Sequence, residues 1–357
     1  MAGPVKVLIV DDSTFMRKAL EGMLSSDPRV AVAGVARNGE EAIQKVVELP
    51  PSVVTLDVEM PGMNGIEALR RIMQTSPVPV IMVSSLTTQG AEETIKALEL
   101  GAVDFLPKQL DGIATNITAI QQELIAKVIA AAQSAGKLKR APTNGTIPPG
   151  VKAVRSPGLS SRTIVGTRGH KAVAIGCSTG GPQALIEVLP LLPADFPAGM
   201  LIVQHMPKYF TKPFADRLNQ LCKVEVREAK AGDVITPGVA LIGPAGLHMR
   251  VVRRIATQIE VALSEDTKGS SHVPSVDVMM ESVAEVYGER AIGVILTGMG
   301  HDGAQGMKAI KGAKGRTIAQ DEATCVVYGM PKAAVDAGYA EKVVGLPSIA
   351  GEIMNMV

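Results

Sequence analysis

No stretch of the chain approaches the roughly 20 consecutive apolar residues that cross a bilayer, although 46% of its 357 residues are hydrophobic. The start, Met1 to Val10, lacks a basic leader followed by a long apolar core. The expectation is therefore a cytoplasmic protein with no direct membrane insertion. An excess of one charge is missing too, since 36 Lys and Arg stand against 35 Asp and Glu for a net charge of +1. That balance supplies no general field toward nucleic acid or anionic lipid, so partners must be recognised locally. Cysteine is scarce. Cys177, Cys222 and Cys325 are too few and too scattered for a disulfide framework or a CxxC metal knuckle, and buried or free thiols are expected.

What is present is an alternation of short β-branched runs with amphipathic segments, the pattern of a parallel sheet with crossover helices. Up to about residue 130 five such units can be counted, with strands near Val5–Val10, Val30–Ala36, Val53–Leu56, Val80–Val83 and Asp104–Leu106. In Thr14–Leu24 the residues Phe15, Ala19, Leu20, Met23 and Leu24 recur at the spacing of one buried helix face. From Ala135 to Gly169 the rhythm breaks: prolines alternate with Gly and Ser, and seven Lys or Arg residues stand without a single Asp or Glu. Such a segment reads as a solvated tether. The alternation resumes with strands near Ala172–Ile175, Met200–Val203 and Ala291–Leu296, while Val224–Leu263 reads as several strands joined by Gly-Pro turns. The expected division is a first α/β domain over residues 1–130, a linker over 131–169 and a second domain over 170–357. The second is expected to be a doubly wound, mostly parallel α/β hydrolase-type domain with an antiparallel excursion.

Reactive groups of an open parallel sheet gather at the carboxyl ends of its strands. In the first domain Asp11 and Asp12 follow the first strand, Asp57 the third, Ser84 the fourth and Lys108 the fifth. Converging carboxylates repel one another and call for a hard divalent cation with oxygen ligands, for which Mg²⁺ fits. A phosphoryl group accepted on Asp57 would be held by the Lys108 ammonium and the Ser84 hydroxyl. Singly, each has a plain structural alternative: Asp12 as a helix cap, Ser84 in a turn, Lys108 on the surface.

The second cluster opens with Gly176-Cys177-Ser178-Thr179-Gly180-Gly181. Small residues at a strand-to-helix turn let a hydroxyl protrude where free N–H groups favour developing negative charge. A dinucleotide or phosphate loop is the weaker reading, because Ser178 takes a required glycine position and Gly-Lys-Ser/Thr is absent. A serine nucleophile needs a base. Of the five histidines, His205 alone lies just past a strand end; His170 falls in the linker, and His248, His272 and His301 in loops or turn-rich segments. Asp302, beyond the strand Ala291–Leu296, can orient it, or can cap the helix starting near Gly303. The turn at Met299 offers backbone N–H groups as oxyanion donors.

The runs Val10-Asp11-Asp12-Ser13, Leu56-Asp57-Val58-Glu59-Met60-Pro61-Gly62-Met63-Asn64-Gly65 and Met82-Val83-Ser84-Ser85 resemble the two-component response-regulator receiver family over residues 4–127. That resemblance implies a flavodoxin-like fold, phosphorylation of Asp57 by a histidine kinase, and a Mg²⁺ site including Asp11 and Asp12. It further implies Phe105 as the switch aromatic with Ser84 its hydroxyl partner; Gln109 stands where the family usually has proline. Ala174–Gly181, Val203-Gln204-His205-Met206-Pro207, Pro274-Ser275-Val276-Asp277, Leu296–Gly303 and Ala319–Cys325 resemble the chemotaxis protein-glutamate methylesterase (CheB) family from Lys171 onward. This second resemblance implies chemoreceptor methyl-glutamyl side chains as substrate, glutamine deamidation in some relatives, and no cofactor in the catalytic domain. It also implies that the unphosphorylated receiver covers the crevice. The competing class is a phosphorylation-controlled receptor-binding module without catalysis. A DNA-binding regulator is disfavoured, because no basic recognition helix follows the receiver.

Overall fold

The computed structural model describes residues 3–108, 117–134, 170–255, 258–266 and 272–357. Residues 135–169 of the expected linker, and Gln109, lie outside the described residues; the linker is expected from residue 131, but residues 131–133 still belong to the last helix of the first unit, because its apolar face continues onto the sheet. The first unit runs β1 (Val5–Val10), α1 (Thr14–Leu24), β2 (Val30–Ala36), α2 (Gly39–Glu48), β3 (Val53–Asp57), α3 (Gly65–Thr75), β4 (Val80–Ser84), α4 (Thr88–Glu99), β5 (Asp104–Pro107) and α5 (Ile117–Gln133). Its sheet has the order β2-β1-β3-β4-β5, parallel throughout, which is the expected flavodoxin-like arrangement. β3 and β4 are buried along their whole length, as strands covered by helices on both faces must be. Side chains of Ser13, Asn38, Asn64 and Thr87 accept first-turn N–H groups of α1 to α4, so each helix starts where a short polar side chain replaces a missing intrahelical partner. Asp57 and Ser84 are the last residues of their strands.

The second unit runs β6 (Ala172–Cys177), α6 (Gly181–Val188), β7 (Gly199–Gln204), α7 (Thr211–Leu221), β8 (Glu225–Glu228), β9 (Val239–Ile242), β10 (His248–Ile255), β11 (Gln258–Ser264), α8 (Val276–Tyr287), β12 (Ala291–Ile295), α9 (Ala304–Gly312), β13 (Arg316–Gln320), α10 (Met330–Asp336), β14 (Lys342–Val344) and α11 (Leu346–Met356). Seven strands in the order β14-β13-β12-β6-β7-β9-β8 pair in parallel. The antiparallel excursion is the β10–β11 hairpin, joined by a single antiparallel bridge from Val234 to Glu260; β8 and β9, from the same turn-rich stretch, join the parallel sheet. After β6 the chain builds outward on one side and later returns to place β12 on the other. The reversal of strand order therefore falls beside β6, where a doubly wound sheet opens its crevice. Among the described residues no helix is long and apolar enough to cross a membrane.

The two units touch through α4 and β5 on one side and α6 and α7 on the other. The Phe105 ring stacks on Phe210 with centroids 4.5 Å apart and planes at 21°. Lys127 of α5 lies over the Phe105 ring, 5.5 Å from its centroid, and donates to Phe105 O at 2.7 Å. Gln183 Nε2 donates to Ala102 O at 2.8 Å and Leu98 O at 3.2 Å. Arg217 Nη2 donates to Glu99 Oε2 at 2.9 Å. Val326, from the loop after β13, packs on the hydrophobic cluster that α5 forms with the first sheet. Phe210 is fully buried, so Phe210→Ala is expected to cost about 3–5 kcal/mol. A chemical-denaturation midpoint unchanged from wild type would contradict the packing described.

Candidate active site and phosphoacceptor pocket

β6, β7 and β12 are neighbours at the centre of the second sheet, and their carboxyl ends carry Ser178, His205 and Asp302. Registration is direct. Cys177 pairs with Gln204 across β6 and β7, and His205 N–H donates to Cys177 O at 3.1 Å, so Ser178 and His205 leave adjacent strands at one level. On the other flank Ser178 N–H donates to Thr297 O at 3.1 Å and Gly181 N–H to Ser178 O at 2.7 Å. Those two N–H groups are thereby spent and are not oxyanion donors. A Cβ on Gly298 would sit 3.0 Å from both Ser178 Cβ and Ser178 N, which puts the Met299 turn directly against the serine. Gly180 has φ of 77°, a backbone that only glycine adopts without strain.

The three side chains are not equivalent in how they are held. His205 Nε2 is 2.8 Å from Asp302 Oδ2, while His205 Nδ1 is buried and finds no hydrogen-bond partner among the described residues. Asp302 accepts three further bonds: Ser275 Oγ at 2.9 Å, Val276 N at 2.8 Å and Asp277 N at 2.9 Å. These groups form the start of α8, so the carboxylate sits on a helix N-terminus. The helix it serves is thus α8, not the one that follows it in sequence; α9 starts from Gly303 without a side-chain cap. Burial opposes ionisation of Asp302, but the bond and charge of His205 and the α8 N–H groups outweigh it and hold its pKa well below the carboxylate range. Its ionisation thus stabilises the fold at neutral pH, a contribution lost only on acidification below that range.

Sequence reasoning missed Ser275 and the α8 N–H groups, although a serine just before an apolar-periodic run is a recognisable cap signal. It also missed Thr297, which is buried and bonded to Thr179 O, Val327 N and Gln320 Oε1 and so ties the serine turn to the loop after β13. His272 stacks on His205 with centroids 4.3 Å apart and planes at 3°. Burial, then the neighbouring His205, lower the His272 pKa. His205, His272 and Asp302 offer ligand atoms within 4.8 Å of one another. Imidazole lone pairs lie in the ring plane, however, and one ion cannot lie in two stacked parallel planes. Cys177 is buried, and burial raises its thiol pKa, so beside Ser178 it is a packing group.

In the first unit Asp11, Asp12 and Asp57 bring carboxylate oxygens within 4.8 Å of one another. Lys108 Nζ bridges Asp11 Oδ2 at 2.9 Å and Asp57 Oδ2 at 2.7 Å. The oxygen-only donor set, with two carboxylates buried and the third exposed, fits a hard divalent cation. Burial, and after it the Asp11 charge, push Asp57 from 3.8 up to about 6 against the pull of Lys108. Burial alone would depress the Lys108 ammonium, but Asp57 and Asp11 outweigh it and raise its pKa. The Ser84 hydroxyl is turned to α4, donating to Gly90 O at 3.1 Å, and is not hydrogen-bonded to Asp57. Phe105 is 3% exposed, turned inward onto the interface described above.

With this geometry in hand, the comparisons with known proteins are specific. The family profile of CheB methylesterase matches residues 173–353, and that of the response regulator receiver domain matches residues 7–119. The chain is 49% identical to protein-glutamate methylesterase/protein-glutamine glutaminase 2 of Nitratidesulfovibrio vulgaris, over 98% of this chain and 99% of that one. It is 45% identical to the protein-glutamate methylesterase/protein-glutamine glutaminase of Pyrococcus horikoshii, over 100% of this chain and 95% of that one. The crystal structure of the Thermotoga maritima CheB methylesterase catalytic domain superposes with a TM-score of 0.51 at 39% identity, covering 53% of this chain and 99% of that one.

The elevated Asp57 pKa carries a stability sign. A carboxyl raised from 3.8 to about 6 is neutral in the fold but charged in the unfolded chain between those values, so stability falls as pH rises through that window. Asp57→Asn is therefore expected to stabilise the chain near neutral pH by at most about 3 kcal/mol. The gain should vanish on acidification below the lower value. Thermal melting across pH checks it; a variant no more stable than wild type at neutral pH would refute the electrostatic account.

Proposed function

Because the chain belongs to the CheB methylesterase family, we propose that it hydrolyses methyl esters on protein glutamate side chains of chemoreceptors, releasing methanol. It also hydrolyses glutamine side-chain amides, releasing ammonia, under control of phosphorylation on Asp57. The observation that carries the mechanism is the division of labour on His205: Nε2 is engaged by Asp302 at 2.8 Å and Nδ1 is left without a partner among the described residues.

A carboxylate held ionised by a helix N-terminus does not take a proton, so Nε2 carries the hydrogen and Nδ1 is the basic nitrogen. Nδ1 removes the Ser178 hydroxyl proton as Oγ attacks the side-chain carbonyl. The resulting tetrahedral oxyanion is stabilised by backbone N–H donors, of which Met299 is the candidate beside the serine. His205 then returns the proton to the departing methoxide or amide nitrogen, giving methanol or ammonia and an acyl-serine. Water attacks that ester with Nδ1 again as base, and the glutamate product leaves as Ser178 regains its proton. The same sequence serves ester and amide, because only the leaving atom differs.

In the receiver, Asp57 is the acceptor of a phosphoryl group from a histidine kinase, with Lys108 placed to hold a phosphoryl oxygen. Asp11, Asp12 and Asp57 are the residues that would hold Mg²⁺, which when bound neutralises the carboxylate nucleophile and the phosphoryl oxygens. Supporting control of the hydrolase by this site is the contact of the switch aromatic Phe105 with Phe210. Phe210 stands five residues beyond His205 in the same loop. Relief of this contact shifts the equilibrium toward an open crevice.

Methanol release from a methylated receptor, measured with and without a small phosphodonor, tests both halves. Ser178→Ala is expected to abolish turnover and Asp302→Asn to lower kcat by about 10⁴-fold. Asp57→Asn is expected to remove the response to the phosphodonor. Undiminished turnover in Ser178→Ala overturns the hydrolase assignment, and a stimulated Asp57→Asn enzyme overturns the control.

A further inference from the structure

Asp302 is only as well placed as the first turn of α8, which supplies three of its four hydrogen bonds. One donor of that turn points elsewhere: Ser275 N–H donates to Nδ1 of His248 at 3.2 Å. His248 opens β10, is 2% exposed and sits opposite Ser264 in the hairpin. A ring nitrogen that accepts a hydrogen bond carries no proton, so this histidine is neutral with its hydrogen on Nε2. Ser275 is therefore seated at both ends, its N–H on His248 and its Oγ on Asp302 at 2.9 Å. The same Oγ accepts Val278 N–H at 3.4 Å, capping α8.

We propose that His248 is a positioning residue for the hydrolytic reaction: by accepting the Ser275 N–H it fixes the α8 turn that aligns the Asp302 carboxylate and, through it, the His205 ring. The proposal rests on the reading of Ser178, His205 and Asp302 as the reacting set. It gives the β10–β11 hairpin, far from the sheet ends in sequence, a part in catalysis without touching substrate.

A consequence follows for acid. Protonating His248 would turn Nδ1 into a donor facing the Ser275 N–H, and the two hydrogens repel. The charged groups that act on His248 are Arg250 on its own strand, Asp266 beyond β11 and Asp302 beyond β12. Asp277 of α8 is occupied by Gly306 N–H at 2.7 Å. Burial and Arg250 lower the His248 pKa, while Asp266 and Asp302 act the other way. The seat is thus intact at neutral pH and fails as pH falls, adding a proton of its own to the acid limb of the activity profile.

The test uses the full chain with a methylated receptor and a saturating small phosphodonor, with Ser178→Ala as blank. His248→Leu removes the acceptor, and kcat is expected to fall about tenfold or more with KM little changed. In His248→Asn the side-chain Oδ1 stands where Nδ1 stood but does not titrate. This variant is expected to restore most of kcat and to show an acid limb of single-proton slope where wild type is steeper. Wild-type kcat in the Leu variant, or equal losses in both variants with acid limbs parallel to wild type, overturns the proposal. If the Leu variant does not fold, as read by circular dichroism, the slope in the Asn variant decides alone. Turnover by Ser178→Ala would instead refute the underlying reading of the site.

Discussion

The hydrolytic centre depends on one anion and one helix end. Asp302 lies beyond β12, α8 lies before it, and the two meet because the glycines at 300 and 303, both at positive φ, let the chain fold the carboxylate back onto Ser275, Val276 and Asp277. A buried carboxylate is costly unless its lone pairs are filled, and here four donors fill them. The close fit leaves no latitude: a Cβ on Gly303 would come 2.4 Å from Ile295 Cδ1 and 2.8 Å from Val276 Cγ1. Once Asp302 is fixed, His205 has one orientation and one tautomer, and the position of Ser178 follows from the pairing of β6 with its two neighbours.

That orientation reverses the more familiar assignment of imidazole nitrogens, in which the carboxylate holds Nδ1 and the serine faces Nε2. The cause is the chain order. His205 immediately follows β7 with its N–H on Cys177 O, and Asp302 reaches it from the far side of β6. The ring therefore lies with its distal nitrogen on the carboxylate and its proximal nitrogen inward. The loop that carries His205 also carries Phe210, which leaves few residues between the hydrolytic base and the ring that stacks on Phe105. Tyr209 within it has φ of 76°, an uncommon conformation for a side chain of that size. The contact between the two units and the geometry of the base thus share one short strained segment.

Much of this was legible in the sequence because both halves obey the same rule, that polar residues at the carboxyl ends of parallel strands converge. Asp11, Asp57 and Lys108, and likewise His205 and Asp302, were placed from strand ends alone and lie together. What was not legible came from contacts that no periodicity encodes. Beside its role of orienting His205, the sequence offers Asp302 as a cap only for the helix after it, whereas the helix it caps begins about 25 residues earlier. His248 belongs to a turn-rich stretch by composition yet is a buried strand residue bonded to α8. The strands β8 and β9 read as part of an antiparallel excursion, but Val226 and Leu241 lie in register with parallel neighbours, since burial against the main sheet overrides what the intervening turns suggest. Ser84 has its place at the end of β4, but its hydroxyl goes to Gly90 O, a partner set by the packing of α4.

Two of the buried carboxylates of this protein, Asp302 and Asp57, are managed in opposite ways, and the difference follows from what the proposed function asks of each. Asp302 must never change state: donors from a helix N-terminus lower its pKa, which makes it inert and therefore a reliable orienter. Asp57 must react. Among the described residues its one backbone donor is Glu59 N–H at 3.1 Å, and burial with Asp11 nearby raises its pKa to about 6 despite Lys108. An oxygen whose charge is poorly compensated is the better nucleophile, and it gains most when a cation and a phosphoryl group arrive together. Filling the Asp57 pocket with helix N–H groups would make the receiver more stable and less able to accept phosphate, and emptying the Asp302 seat would free the carboxylate to take the proton that His205 must keep.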